Sequence, residues 1–471
     1  MIAAEAVPAP AAADADRFPP QIKYIVGNEA CERFSFYGMK SILTIFMVSR
    51  LLMKDNEAEA TYHLFVSACY LLPVAGAWIS DRFWGKYKTI MILSVVYCAG
   101  HAVLAMWDGR TALYWGLGLI SLGAGGIKPC VSAHVGDQFT EKNKHLLAKI
   151  FDVFYFSVNF GSFFSTILIP WVLPHYGPSW AFGIPGILMA IATVVFWIGR
   201  KQYVHVPPTG KTGDAGFGPV FWRALTNQAA RKPGQGFFDA ALDRYKPAEV
   251  EAAKAASDVF VLFAAVSAFW ALFDQYGSSW VLQGEKMNLA VAGFHVEASQ
   301  MAALNPILVM LLIPVFSKLI YPASAKLGFE PTPLRRMTIG MFVAAFSFVA
   351  VALIQAAMDA GHFLSIGWQF VPYLLITIAE IMISITGLEF AYTQSPRSMK
   401  STIMSFWLLT IFAGNLLTAY VSAINKFHGA TYFLFFAGIM GGLSVVFVWM
   451  ASRYKVRNYV EDGTAPVGVE L

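Results

Sequence analysis

The sequence predicts an all-α membrane protein of twelve transmembrane helices in two six-helix bundles, and three observations carry that reading. First, apolar residues make up 57% of the 471 and charged residues only 13%, whereas an ordinary soluble domain carries about 25% charged residues. Second, the charge is confined to short stretches, and the runs between them reach about 20 residues, enough at about 1.5 Å per residue to cross a hydrocarbon core of about 30 Å. Third, the largest break in hydropathy, residues 200–256, leaves six such runs on either side. A soluble enzyme, a disordered chain and a nucleic-acid module are excluded, and the lipid bilayer is the first partner implied. The net charge of +5 is informative only through its placement in loops.

In chain order the spans fall near 22–52, 57–80, 88–106, 111–138, 148–174 and 179–199, then 257–283, 298–322, 334–358, 366–395, 400–425 and 429–452. The domain organisation expected is a disordered tail (1–21), a first bundle (22–199), a linker (200–256), a second bundle (257–452) and a second tail (453–471). The first tail, rich in Ala and Pro with Glu5, Asp14 and Asp16, lacks the basic start and apolar core of a signal peptide. The linker opens on Pro207-Pro208 and a Gly-rich stretch. It closes on 247–256, which reads as a surface helix feeding span seven.

Orientation follows from the cations. Counting cations at a span's end with the adjoining connection, only Arg50, Lys54, Arg110, Lys286 and Lys426 belong to the odd-numbered connections, Lys23, Arg33, Lys40, Lys128 and Lys318 fall within spans, and the other 24 of the 34 belong to the tails or even-numbered connections. Positive loops stay inside, so both termini are expected in the cytoplasm, with the chain in the cell (inner) membrane. Cys31, Cys69, Cys98 and Cys130 all lie in spans, so no disulfide framework is implied. The sequence contains no HExxH, paired CxxC or phosphate-cradling loop, so no metal and no ATP is expected.

Two halves of six spans, with basic connections after spans two and eight, fit the major facilitator fold, whose substrate sites lie between the halves near mid-membrane. Sugar, drug, nitrate and peptide carriers share that architecture, so it does not choose a substrate.

The ionisable residues inside spans narrow the choice, because each costs several kcal/mol and faces a cavity or a partner. Span one carries Glu29, Glu32 and Arg33, then Phe36, Tyr37 and Lys40, a spacing that lines one helical face with charge and aromatic rings. Depth arithmetic at about 1.5 Å per residue groups the others into layers. Lys40, His63 and Asp274 share an outer layer. Arg33, Glu32, Lys128 and Glu380 share one near mid-membrane, and Asp258 and Lys318 lie at the inner edge. Each layer holds both signs, so the pairs Lys40–Asp274, Lys128–Glu380 and Asp258–Lys318 can act as gates that close and part; the alternative is that some are permanent braces. His63 titrates near neutral pH when unperturbed and is a candidate proton carrier, whereas His101 and His134 read as hydrogen-bonded spacers.

At these residues the sequence resembles the proton-dependent oligopeptide transporter family of the major facilitator superfamily. The hallmark Glu-x-x-Glu-Arg-Phe-x-Tyr-Tyr-Gly matches Glu29 through Gly38. Further matches are Gly76–Lys88, Gly125–Pro129 with Gly136–Phe139, Phe154–Ser162, Ala181–Gly186, Phe269–Gln275, Leu304–Pro306 and Ala379 through Lys400-Ser401. Nearly every span contributes.

The resemblance implies a symporter that uses an inward proton gradient to import di- and tripeptides by alternating access. The proton is its coupling ion, it has no other cofactor, and no obligate protein partner is expected. It implies that Arg33, Tyr37, Lys128 and Asn159 bind the peptide from the first half, that Glu380 holds its amino terminus, and that Trp270, Asn305, Ser384 and Trp407 line the pocket. Glu29, Glu32 and Arg33 match the coupling motif, His63 the coupling histidine, and Lys40 with Asp274 the outer gate.

Three positions depart from the family pattern: Phe36 replaces the first hallmark tyrosine, Cys130 an asparagine, and His134 a phenylalanine. The signs at Asp258 and Lys318 are also exchanged relative to some members. The linker is too polar for the two additional helices that many bacterial members insert there, and 359–365 is too short for an extracellular domain. The competing readings are a same-fold carrier of another small anion such as nitrate, or, from a different class, a membrane-embedded enzyme or receptor. An enzyme would need a nucleophile or metal site, and Ser35 and Cys31 beside Glu32 are better explained by helix packing.

Overall fold

The computed structural model describes residues 17–456 apart from 141, 209–215, 233, 292, 395 and 397–398. The outer parts of both expected tails, the Gly-rich start of the linker and Ser398 of the last motif therefore lie outside the described residues.

The first bundle consists of α1 (Ile22–Ser49), α2 (Asp55–Trp84), α3 (Lys86–Met106), α4 (Arg110–Asp137), α5 (Leu147–Tyr176) and α6 (Pro178–Lys201). A short helix α7 (Phe217–Thr226) lies in the linker. The second bundle consists of α8 (Pro247–Gly284), α9 (Ala298–Lys326), α10 (Pro333–Asp359), α11 (Ile366–Ala391), α12 (Lys400–Ile424) and α13 (Ala430–Arg453). Among the described residues, eleven of these are long and apolar enough to cross a membrane. Helix α1 is the twelfth at 28 residues, kept off that count by the charges of its hallmark. The β-structure among the described residues includes a two-residue hairpin, Ala290–Val291 with Phe294–His295, in the connection after α8.

Local chemistry sets the ends. Pro178, Pro247 and Pro333 each open a helix at its first turn, where a missing N–H costs nothing. At α8 the Lys246 backbone N–H also donates to Glu249 Oε2 at 2.9 Å. Lipid cannot drive helices together, so close backbone approach does much of that work. A Cβ at Gly76 of α2 would lie 2.5 Å from Gly126 Cα of α4. Helices α2, α9 and α11 each contain a π-turn, at Ser80–Trp84, Phe316–Ile320 and Ile381–Ile385, a feature that often marks functional sites.

Helix α8 corrects the expected boundary. Residues 247–256 are not a separate surface helix but the start of one 38-residue rod, about 57 Å long against a core of about 30 Å. The amphipathic linker helix is α7 instead. Its apolar positions are too few to stand out beside membrane spans, and burying Val220 and Ala224 against α8 is what organises it.

The bundles meet along α2 with α12 and α5 with α9. Both described chain ends and the linker lie on one face, termed here the terminal face; the opposite one is the distal face. Between described residues, every hydrogen bond and ion pair joining the bundles lies in the distal half. They include Lys40–Asp274, Thr44 to the Gly277 carbonyl, His63 with Asn415 and Ser278, Ser67 to the Phe412 carbonyl, Ser422 to Glu59, Lys286–Asp55 and Gln300 to the Ile167 carbonyl.

Candidate functional site

The distal half of the bundle interface is a hydrogen-bonded polar network. Helix α8 tightens into a 3-10 turn at Asp274–Gly277. This leaves the Gly277 carbonyl free to accept the Thr44 hydroxyl at 2.9 Å, and a side chain at 277 would collide with the Tyr62 hydroxyl. Lys40 Nζ donates to Asp274 Oδ1 at 2.7 Å. Asn415 Nδ2 donates to the other oxygen, Asp274 Oδ2, at 2.8 Å. His63 Nδ1 lies 2.8 Å from Asn415 Oδ1, and its Nε2 lies 2.7 Å from Ser278 Oγ. His63, Asn415 and Ser278 are all sealed from solvent at 0% exposure.

The bonding order fixes the histidine tautomer. The Asn415 amide must point its nitrogen at the Asp274 carboxylate, because the reverse would set oxygen against oxygen. Its Oδ1 is then an acceptor, so His63 Nδ1 carries the hydrogen. In neutral His63, Nε2 accepts from the Ser278 hydroxyl. On protonation Nε2 becomes a donor, and Ser278 can turn its own hydrogen to the Gln275 carbonyl 3.4 Å away. Ser278 is thus a two-position rotor that accommodates a proton on a buried imidazole.

The layer expected to unite Lys40, His63 and Asp274 does form, but His63 reaches Asp274 only through Asn415. Neither Asn415 nor Ser278 was singled out from sequence. The available signal was one amide in the apolar run of α12, which must find a partner inside the membrane.

Nearer mid-membrane the charges are arranged differently. Arg33 Nε lies 2.8 Å from Glu29 Oε1 and 2.8 Å from Glu32 Oε2, so one guanidinium serves two carboxylates. Both Glu32 oxygens are buried without a hydrogen bond among the described residues, because the Nε–H points at Glu29. Lys128 Nζ is also buried without a hydrogen bond. It rests on two ring faces, 4.6 Å from the Phe36 centroid and 4.3 Å from that of Tyr70.

Phe36 is the hallmark departure, and a phenyl ring supplies Lys128 with a cation–π face but no oxygen. His134, the second departure, packs edge-on against Phe196 and Tyr203. The third, Cys130, sets its Sγ 4.0 Å from the Gly76 carbonyl, where α2 and α4 approach.

Across the interface, Glu380 ends the regular first part of α11, just before the π-turn that carries Ser384. Its Oε2 accepts from Asn305 Nδ2 at 2.6 Å, and the same amide nitrogen lies 3.2 Å from Thr377 Oγ1. No cation pairs with Glu380 among the described residues. Tyr37 and Tyr155 of the first bundle lie within electrostatic reach of it. Asn159 spends one amide hydrogen on the Tyr155 carbonyl at 2.9 Å. Trp270 and Trp407 meet edge-on at 6.1 Å, and the buried Trp270 Nε1–H has no acceptor among the described residues.

Two expected pairs are not brought together. Lys128 sits on aromatic rings and Glu380 on Asn305, so they make no ion pair here. Nor is there an ion pair between Asp258 and Lys318: both are exposed, Asp258 near the start of the long α8 rod and Lys318 in the π-turn of α9. Depth arithmetic equates height along the membrane normal but is blind to the azimuth of a side chain around its helix.

The chain is similar to known proteins in both sequence and fold. A sequence model of the POT family matches residues 87–433. Solute carrier family 15 member 2 of Homo sapiens is 38% identical over 79% of this chain and 54% of its own length, so the chain spans about half of that relative. Solute carrier family 15 member 1 of Mus musculus is 34% identical over 95% of this chain and 66% of its own. Among solved structures, an auto-inhibited POT family peptide transporter is 42% identical with a TM-score of 0.88, covering 95% of this chain and 99% of that one. The POT family transporter PepTSo is 40% identical with a TM-score of 0.89, over 94% and 99%. With family-model coverage of most of its length and a shared fold across both bundles, the chain belongs to the POT family of proton-dependent oligopeptide transporters.

Proposed function

We propose that this chain is a proton-coupled symporter that imports di- and tripeptides by alternating access, with both termini in the cytoplasm of a cell whose inner membrane it spans. The observation that carries the reading is the pair of uncompensated poles at mid-membrane. Among the described residues, Lys128 of the first bundle has no oxygen partner and Glu380 of the second has no cation. A peptide of variable side chain offers only its termini and backbone as constant features, and as a zwitterion it supplies the missing partner to each pole. Arg33 and Lys128 take the carboxylate. Glu380 takes the ammonium, Asn159 and Asn305 the backbone, and Tyr37, Trp270, Ser384 and Trp407 form adaptable walls. Charge-assisted bonds of this kind are roughly twice as strong as neutral ones.

Coupling follows from competition for Arg33. While Glu29 and Glu32 are both ionised they hold the guanidinium. Protonating either one frees it for the substrate carboxylate, so proton and peptide bind cooperatively, and by linkage each raises the affinity for the other by the same factor. The Lys40–Asp274–Asn415–His63 network serves as the outer gate, with protonated His63 accommodated by rotation of Ser278. One positive charge moving inward through 100 mV contributes about 2.3 kcal/mol, equivalent to about fifty-fold accumulation of a neutral zwitterion. No step needs a cofactor other than the proton.

The test is dipeptide uptake into proteoliposomes under an imposed inside-alkaline, inside-negative gradient. Concentrative uptake that vanishes when the gradient is collapsed supports the reading. Uptake indifferent to the gradient rejects symport, and competition by nitrate but not by unlabelled dipeptide rejects the substrate class.

A further inference from the structure

The linker helix α7 carries two apolar faces, and the protein covers only one of them. Val220 and Ala224 are fully buried, packed with Phe238 and the first turns of α8. On the remaining surface Phe221, Trp222 and Leu225 are exposed, Trp222 by 66%. Exposed apolar side chains inside the spans are expected to meet lipid; these three lie outside the spans and have no such default partner.

Their height supplies one. The Phe217 ring packs edge-on against Phe260 at 4.8 Å, and Phe260 stacks on Phe406 at 4.0 Å. Phe260 lies 13 residues into the 38-residue α8 rod, about 20 Å from its start and so near the level where the rod enters hydrocarbon. The helix is therefore pinned at the rim of the bilayer on the terminal face.

The surrounding unpaired charge is predominantly cationic. Asp243 is held by Arg223 in a two-bond pair, which keeps its carboxyl below the usual range, and Asp239 accepts the Gly236 backbone N–H at 2.7 Å. Arg231, Lys232, Arg244 and Lys246 are exposed and make no ion pair among the described residues. Residues 217–246 thus present four cations and a Trp-Leu-Phe patch, the composition of helices that lie in the headgroup layer.

We propose that α7 is an interfacial anchor: Phe221, Trp222 and Leu225 enter the bilayer at headgroup depth while Arg231, Lys232, Arg244 and Lys246 bind anionic lipid headgroups. Helix α7 packs on the same α8 that carries Trp270 and Asp274, so the anchor ties the lipid surface to a helix of the proposed substrate site and of the distal network.

The experiment labels a Trp222→Cys variant of the full chain with an environment-sensitive fluorophore. The labelled wild type corrects for Cys31, Cys69, Cys98 and Cys130, which lie within the bundle. The labelled protein is reconstituted in phosphatidylcholine vesicles with or without phosphatidylglycerol, and headgroup-proximal spin-labelled lipid is added as quencher. Quenching at least twice as strong with phosphatidylglycerol is expected. Replacing all four cations (R231Q/K232Q/R244Q/K246Q) is expected to abolish the difference between the two lipids without altering the thermal midpoint in detergent.

Three results would overturn the anchor. The label could be quenched by aqueous iodide and not by lipid, which would leave α7 in solvent. Quenching could be equal in both compositions, or the label could be shielded from both quenchers with 222–222 disulfide dimers forming instead, which would assign the patch to a second copy.

Discussion

The distal network and the mid-membrane site are built from the same residue types, yet they differ in how completely they are satisfied. At the distal face Asp274 has a cation on one oxygen and an amide on the other, and His63 uses both ring nitrogens. At mid-membrane, among the described residues, Glu32 accepts no hydrogen bond, Lys128 rests on rings, and Glu380 is met only by a neutral amide. A satisfied buried ion pair holds two surfaces together. An unsatisfied one is costly, and that cost is relieved by whatever brings the missing partner. The contrast supports the proposal that one region closes the interface and the other recognises the substrate.

Breaking the distal pair is expected to have the largest effect. Asp274→Asn leaves Lys40 buried and unpaired, at a cost of about 3–5 kcal/mol to the closed state. A thiol placed at Ser41 should therefore react with a membrane-impermeant reagent from the distal side at least a hundred times faster than in the parent. Exchanging the signs, Lys40→Asp with Asp274→Lys, should restore much of the protection; failure to do so would reduce the pair to a bystander.

Removing the second pole comes next. Glu380→Gln keeps the Asn305 contact but loses the charge-assisted bond to an ammonium, worth about 1.5–3 kcal/mol. Concentrative uptake should disappear and peptide affinity in counterflow should fall roughly ten- to a hundredfold, while an N-acetylated dipeptide should be unaffected.

A smaller change separates the amide from the ion pair. Asn415→Leu leaves Lys40–Asp274 in place but removes one donor from Asp274 and the acceptor for His63 Nδ1, costing about 1–3 kcal/mol. Distal thiol reactivity should rise by less than in Asp274→Asn, and the pH dependence of gradient-driven uptake should flatten. An unchanged pH profile would remove His63 from the coupling route.

The smallest effect is expected at Phe36→Tyr. The added hydroxyl gives Lys128 a local oxygen, and a neutral bond of about 0.5–1.5 kcal/mol then competes with the substrate carboxylate. The KM should rise by a few-fold with kcat preserved; a lower KM would mean that the hydroxyl contacts the peptide instead.

Much of this arrangement was legible beforehand, for a physical reason. A bilayer taxes every charge and every span below about 20 residues, so Glu29, Glu32, Arg33, Lys40, Lys128, Asp274 and Glu380 stood out against their apolar surroundings. Asn415 and Ser278 did not, because small neutral polar groups are tolerated in spans and become conspicuous only once a neighbouring helix places His63 and Asp274 beside them. The Asp258–Lys318 and Lys128–Glu380 pairs rested on shared height. Height follows from counting residues along a helix; pairing also needs the rotation of each helix and the separation of the bundles.

By itself, the sequence determined the number of helices, their lengths, the charges they carry and the family to which the chain belongs, because the energy of moving a residue from water into hydrocarbon is a property of that residue and its near neighbours. The tertiary structure decided which charges are partnered. It set Asp274 between Lys40 and Asn415, left Lys128 on Phe36 and Tyr70, and turned one face of α7 away from the protein. Those outcomes depend on distances between residues far apart in the chain, and in a medium that screens charge poorly a few ångströms separate a brace from a vacancy that a ligand fills.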